Sequence, residues 1–174
     1  MLPESPDSER ASRAIVRHLV ATLAYRAAKV LRDVPPDFAS QSFGEHTRQP
    51  MRIMAHMADL MAWGVRFASG EPVWKAEGGN DWEREVQRFF DGLAALDREL
   101  VPERPFRGSL EKLIQGPLPD ALTHVGQLAM LRGMAGLPVR PESYPRAEIV
   151  AGRVGLDQAP PGREFDGDAS TRVP

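Results

Sequence analysis

Asn80-Asp81-Trp82-Glu83-Arg84-Glu85-Val86-Gln87-Arg88-Phe89-Phe90-Asp91-Gly92-Leu93-Ala94-Ala95-Leu96-Asp97-Arg98-Glu99-Leu100 carries the clearest periodicity in the chain. Trp82, Val86, Phe89, Phe90, Leu93, Leu96 and Leu100 recur at steps of three and four, which gathers them on one face of an α-helix. Asn80 or Asp81 supplies an oxygen for the first turn, and Glu83 and Glu85 suit the positive end of the helix dipole. Pro102 and Pro105 end the run. A helix with one apolar stripe must bury it against another element, so the flanking sequence has to provide partners.

It provides them on both sides. Upstream, residues 8–33 are rich in Ala, Leu and Arg, with Ala11, Ile15, Leu19, Leu23 and Ala27 at helical spacing, and Val34-Pro35-Pro36 stops them. Pro50 suits the first turn of a second helix, whose stripe of Ile53, His56, Met57, Leu60, Trp63, Gly64 and Phe67 ends near Ser69-Gly70. Downstream, after a short helical piece around residues 110–114, Gly116-Pro117-Leu118-Pro119-Asp120 opens a fourth long helix. Its inward residues are Ala121, His124, Val125, Leu128 and Leu131, and Gly136-Leu137-Pro138 closes it.

No stretch alternates with period two, and no internal repeat is visible. The expectation is an all-α protein, an up-and-down four-helix bundle over residues 1–136. Residues 137–174, with Pro138, Pro141, Pro145, Pro160 and Pro161, read as an irregular extension packed on or beyond it. A helical turn is expected near Ala147-Glu148-Ile149, and disorder in the last few residues. The connectors 37–49 and 71–80 exceed what a minimal bundle needs, so they are expected to shape one end of it.

At 174 residues the chain is long enough to bury a core without staples. It has no cysteine, which excludes disulfides, thiolate metal sites and a cysteine nucleophile. The 22 basic and 24 acidic residues nearly cancel, so no global field favours nucleic acid or an anionic membrane. No apolar run approaches a membrane span, and the polar N-terminus does not read as a signal peptide, so a cytoplasmic protein is expected. Phosphate-loop and nucleophile-elbow sequences are missing.

Two of the four histidines, His56 and His124, lie on the apolar sides of separate helices. Asp120 precedes His124 by four residues, which places acid and imidazole on one helix face, about 6 Å apart at Cβ. Two imidazoles and a carboxylate converging from two helices are a donor set for zinc, iron or nickel. Each also has an ordinary role: a hydrogen-bonded core histidine for either imidazole, a first-turn acid for Asp120. Around them, Gln127 can orient His124 and Asp59 can support His56 from three residues away. Trp74 can line the pocket mouth, and His18 is a candidate pocket residue rather than a ligand. His46, in Glu45-His46-Thr47-Arg48, reads as a solvated connector histidine. The methionines of the second helix read as core.

At His56-Met-Ala-Asp59-Leu60 and again at His124-Val-Gly-Gln127-Leu128, the chain resembles the DinB/YfiT-like superfamily of metalloenzymes. The connector, helix and Trp-containing loop from Phe43-Gly44 through Trp74 and Trp82, and the Gln115-Gly116-Pro117 run, add to the likeness. It covers roughly residues 10–140. The resemblance implies a helical bundle, often dimeric, with a divalent metal such as nickel or zinc on three histidines. One comes from the second helix and two from a His-x-x-x-His pair on the fourth. It also implies thiol-dependent transferase or isomerase chemistry with low-molecular-weight thiols. His56 and His124 match two of those ligands, and Asp120 stands where the earlier histidine of the pair is expected.

Three functional readings follow. The first is a metal-dependent enzyme, a thiol-dependent transferase or a hydrolase, acting on a small molecule. The second is a non-catalytic small-molecule binder that uses the same pocket without metal. The third is a structural homodimer.

Overall fold

The structure, a computed structural model, describes residues 6–165. Five α-helices follow in order: α1 (Pro6–Leu31), α2 (Pro50–Ala68), α3 (Trp82–Glu99), α4 (Leu110–Gln115) and α5 (Pro117–Met134). Two 3-10 turns, Pro36–Ser40 and Tyr144–Arg146, lie in the connections. Among the described residues there is no strand, only an isolated antiparallel bridge between Glu142 and Glu164, so the chain is all-α. No helix among them is long and apolar enough to cross a membrane. The disorder expected for the last few residues falls outside the described range.

Local chemistry sets the helix ends. Asp33 takes a left-handed φ of 55° just beyond α1, a conformation that Asp tolerates, and Val34-Pro35 prevents continuation. Pro50 and Pro117 occupy first-turn positions of α2 and α5, where a missing N–H costs nothing. The Asp81 carboxylate accepts from the Arg84 N–H at 3.1 Å to cap α3.

Helix α2 packs on α3 and α5, and α1 packs on the same two. Their inner faces share one hydrophobic cluster that includes Val20, Leu23, Met54, Met57, Met61, Phe89, Leu93, Leu96 and Leu128. Helices α2 and α3 touch closely: a Cβ added at Gly92 would lie 2.6 Å from the Met61 Cβ, so a glycine is needed there. The methionines of α2 are core residues, as their spacing suggested.

The first half of α1 turns differently from the expectation. Ile15 is 70% exposed, and Val16 and Val20 are buried instead. Ile15/Leu19 and Val16/Val20 both have helical spacing, and tertiary packing selects between them. Arg13 and Arg17 enforce that orientation. Arg13 is buried and donates to the Pro102 and Arg104 carbonyls, while Arg17 makes two hydrogen bonds to the Asp97 carboxylate of α3.

The extension folds back onto the helices. Val154 is buried in the same cluster, and Leu137, Val139 and Ile149 pack against it. Arg132 of α5 donates to the Val30 and Arg32 carbonyls at the end of α1 and to the Leu137 carbonyl where the extension begins. The Glu142 carboxylate accepts from the Tyr25 hydroxyl and the Lys29 ammonium, each at 2.7 Å, and from the Gly162 N–H. Lys29 also reaches Glu164. This anchorage places the turn at Tyr144–Arg146, earlier than the expected Ala147-Glu148-Ile149, because Ala147 is already extended (φ −73°, ψ 143°).

Burial pushes the Glu142 carboxyl up, but the hydrogen bonds from Lys29 and Tyr25 outweigh it and leave the group below its ordinary value. A carboxyl lowered in the folded state contributes stability above its unfolded pKa and loses it as the pH falls through the folded one. Glu142→Gln is therefore expected to destabilise the protein by about 2–3 kcal/mol at neutral pH. The gap from wild type should begin to narrow as the pH drops below about 4. Urea unfolding of both proteins from pH 7 to 3 checks this; a gap that has not narrowed at all by pH 3 would contradict it.

Candidate metal centre

Where α2 meets α5, His56, Asp120 and His124 come together, with one ligand atom from each lying within 4.8 Å of the others. His56 Nε2 is 3.5 Å from Asp120 Oδ2, and His124 Nε2 is 3.3 Å from Asp120 Oδ1. The two imidazole rings meet edge to face at 5.0 Å. Donors held at about 2.0–2.2 Å around a tetrahedral ion stand about 3.3–3.6 Å apart; each imidazole is at that separation from a carboxylate oxygen, though from a different one of the two. His124 is buried, His56 is half-buried, and the Asp120 side chain is 46% exposed, which keeps one side of the group open to solvent. The group can hold a metal ion.

Hydrogen bonding orients His124. The Gln127 amide oxygen lies 2.7 Å from Nδ1 and can only accept, so Nδ1 carries the hydrogen. In the neutral ring the Nε2 lone pair then faces a carboxylate oxygen at 3.3 Å. Two electron-rich atoms hold that approach stably only with a cation or a proton between them. Burial lowers the His56 pKa, helped by repulsion from His124 and Arg48 and opposed by Asp120, so its imidazole favours the neutral, ligating form.

Trp74 reaches the group from the connector between α2 and α3. Its ring tilts against His56 at 5.6 Å and meets Trp63 edge-on at 5.7 Å, while the residue stays 41% exposed. That connector has no regular structure, and side chains of α2 and α3 hold it. Trp63 Nε1 donates to the Pro72 carbonyl and Arg66 Nε to that of Val73. The buried Asp59 carboxylate accepts from the N–H groups of Glu77 and Gly78, and the buried Glu85 carboxylate accepts from that of Gly79. Arg88 pairs with both acids. Gly78 packs directly on α2, where a Cβ would meet that of Ala55 at 2.7 Å.

Of the residues singled out in the sequence, His56, Asp120 and His124 are brought together, with Gln127 on His124 and Trp74 on His56. Asp59 serves differently from expectation, because its carboxylate grips the connector backbone. His18 is exposed on α1 and lies outside the group. The sequence reading missed the wall formed by His46, Thr47 and Arg48. They line a cleft of about 280 Å³ with Ile53 of α2 and with His124, Gln127, Met130 and Leu131 of α5. Their one legible signal is position, directly ahead of the helix that carries His56.

No protein-family model, no curated protein and no solved structure matches the chain.

Asp59→Asn leaves one oxygen to serve two N–H groups and Arg88. The Glu77 and Gly78 amides are expected to exchange their hydrogens faster by at least about tenfold, the loss of one charge-assisted hydrogen bond. Amides in α5 should be unaffected. Hydrogen-exchange NMR measures both, and unchanged protection at Glu77 and Gly78 would remove Asp59 from this role.

Proposed function

We propose that the chain is a divalent-metal-dependent enzyme of the DinB-like kind, acting on a small molecule, with His56, Asp120 and His124 as protein ligands. The observation that carries this reading is the contact between His124 Nε2 and Asp120 Oδ1, with Gln127 holding the hydrogen on the opposite ring nitrogen. α1 and α2 each pack on α3 and α5 but not closely on each other, which supports a four-helix arrangement with α1 across from α2 rather than beside it as in a simple up-and-down bundle, and such a site lies between facing helices.

Two nitrogens and one oxygen without sulfur suit zinc, nickel or iron. When bound, such an ion lowers the pKa of a coordinated water or thiol toward neutrality, which suits a hydrolase or a thiol-dependent transferase. Among the chain's own residues, Gln127 orients His124, Asp120 offsets the positive charge, and Trp74 shields the His56 flank from water. His46, on the cleft wall, presents an imidazole to a molecule held there. A metal-free binding module needs a proton between imidazole and carboxylate instead.

Protein purified without an affinity tag and loaded with zinc or nickel is expected to retain one ion per chain after desalting. Gln127→Ala, which removes orientation alone, should weaken metal affinity by about 10–100-fold, and His124→Ala by more. If wild type retains no stoichiometric metal and His124→Ala changes nothing, the metal reading fails.

A further inference from the structure

The cleft beside His124 differs from four other cavities in having no carboxylate in its lining. Glu9 and Glu111 line one of those cavities, Asp33, Asp81 and Glu83 a second, Asp157 a third, and Asp33 and Glu164 a fourth. The cleft at the candidate metal centre has no carboxylate among its lining residues. The nearest acid is Asp120, which contacts His124 but is not part of the lining. On its connector wall stand an imidazole (His46), a hydroxyl (Thr47) and a guanidinium (Arg48), all able to donate to an anion. Arg48 is exposed and belongs to no ion pair among the described residues. The floor is apolar, with Ile53 and Leu131 both buried.

We propose that this cleft binds a small organic anion, with its charged group at Arg48 and Thr47 and a short apolar body over Ile53 and Leu131. About 280 Å³ admits only a small molecule. An arginine with no internal acid keeps its full charge for a ligand, and its fork suits the two oxygens of a carboxylate or the oxygens of a phosphate. The inference deepens the metal reading: it rests on that reading for the reacting end of the molecule, but the anion contact is made by the chain alone.

NMR titration with isovalerate and its neutral isostere isovaleramide tests it, on metal-free and on zinc-loaded protein. The metal-free sample decides, because a carboxylate can also ligate zinc directly. Metal-free wild type is expected to bind isovalerate at least about tenfold more tightly than the amide, the worth of one charge-assisted hydrogen bond. Arg48→Gln should bring the two within about twofold, and Arg48→Lys should restore part of the preference. No preference in metal-free wild type, or one that survives Arg48→Gln, overturns the proposal. Zinc stoichiometry on the same samples reports on the metal reading separately. Protein that keeps zinc but shows no Arg48-dependent preference fails only here, and protein that loses zinc but keeps the preference fails only there. The same titration with methyl phosphate tells which anion is favoured.

Discussion

Along α2, Met54, Met57 and Met61 are completely buried, and a glycine on α3 lets the two helices close over them. Helix α5 packs elsewhere on α2, so this helix is held between two partners. That double burial leaves His56 little freedom, since it stands at the α2–α5 junction with Met57 locked beside it. Asp120 and His124 reach the same junction from α5. The interlocked core therefore positions the candidate ligands, and no flexible segment has to bring them together.

Buried charges do the complementary task of holding irregular backbone. Asp59 and Glu85 face the core side of the 71–80 connector and accept its N–H groups, which presses Trp74 against His56. Glu142 receives Tyr25 and Lys29 and so fastens the extension to α1. Arg13 and Arg132 donate to carbonyls that no helix satisfies. A buried polar group without a partner is costly, so each such side chain is strongly tied to one arrangement of its segment. The long connectors and the proline-rich tail gain defined shapes through these few contacts.

The helices were legible because apolar spacing and proline or glycine punctuation act locally. Pro50, Pro117 and Asp81 stand where the sequence placed the helix starts. Rotation of α1 was not legible, since Ile15 and Val16 begin equally good stripes, and the contacts of Arg13 and Arg17 with distant residues decide between them. Connector geometry was hidden for the same reason. Nothing near Asp59 in the chain announces that it will bind backbone 18 and 19 residues away.

The sequence by itself determined the half of the site that lies on one helix. The helical repeat puts Asp120, His124 and Gln127 on a common face, so their contacts need only that α5 be a helix. Tertiary structure alone decided the rest. It brought His56 to that face across more than sixty residues of chain, folded Trp74 over one flank, and turned His46, Thr47 and Arg48 into a wall of the cleft. Neighbours within one turn follow from backbone geometry, whereas neighbours on separate segments follow from how the whole core packs.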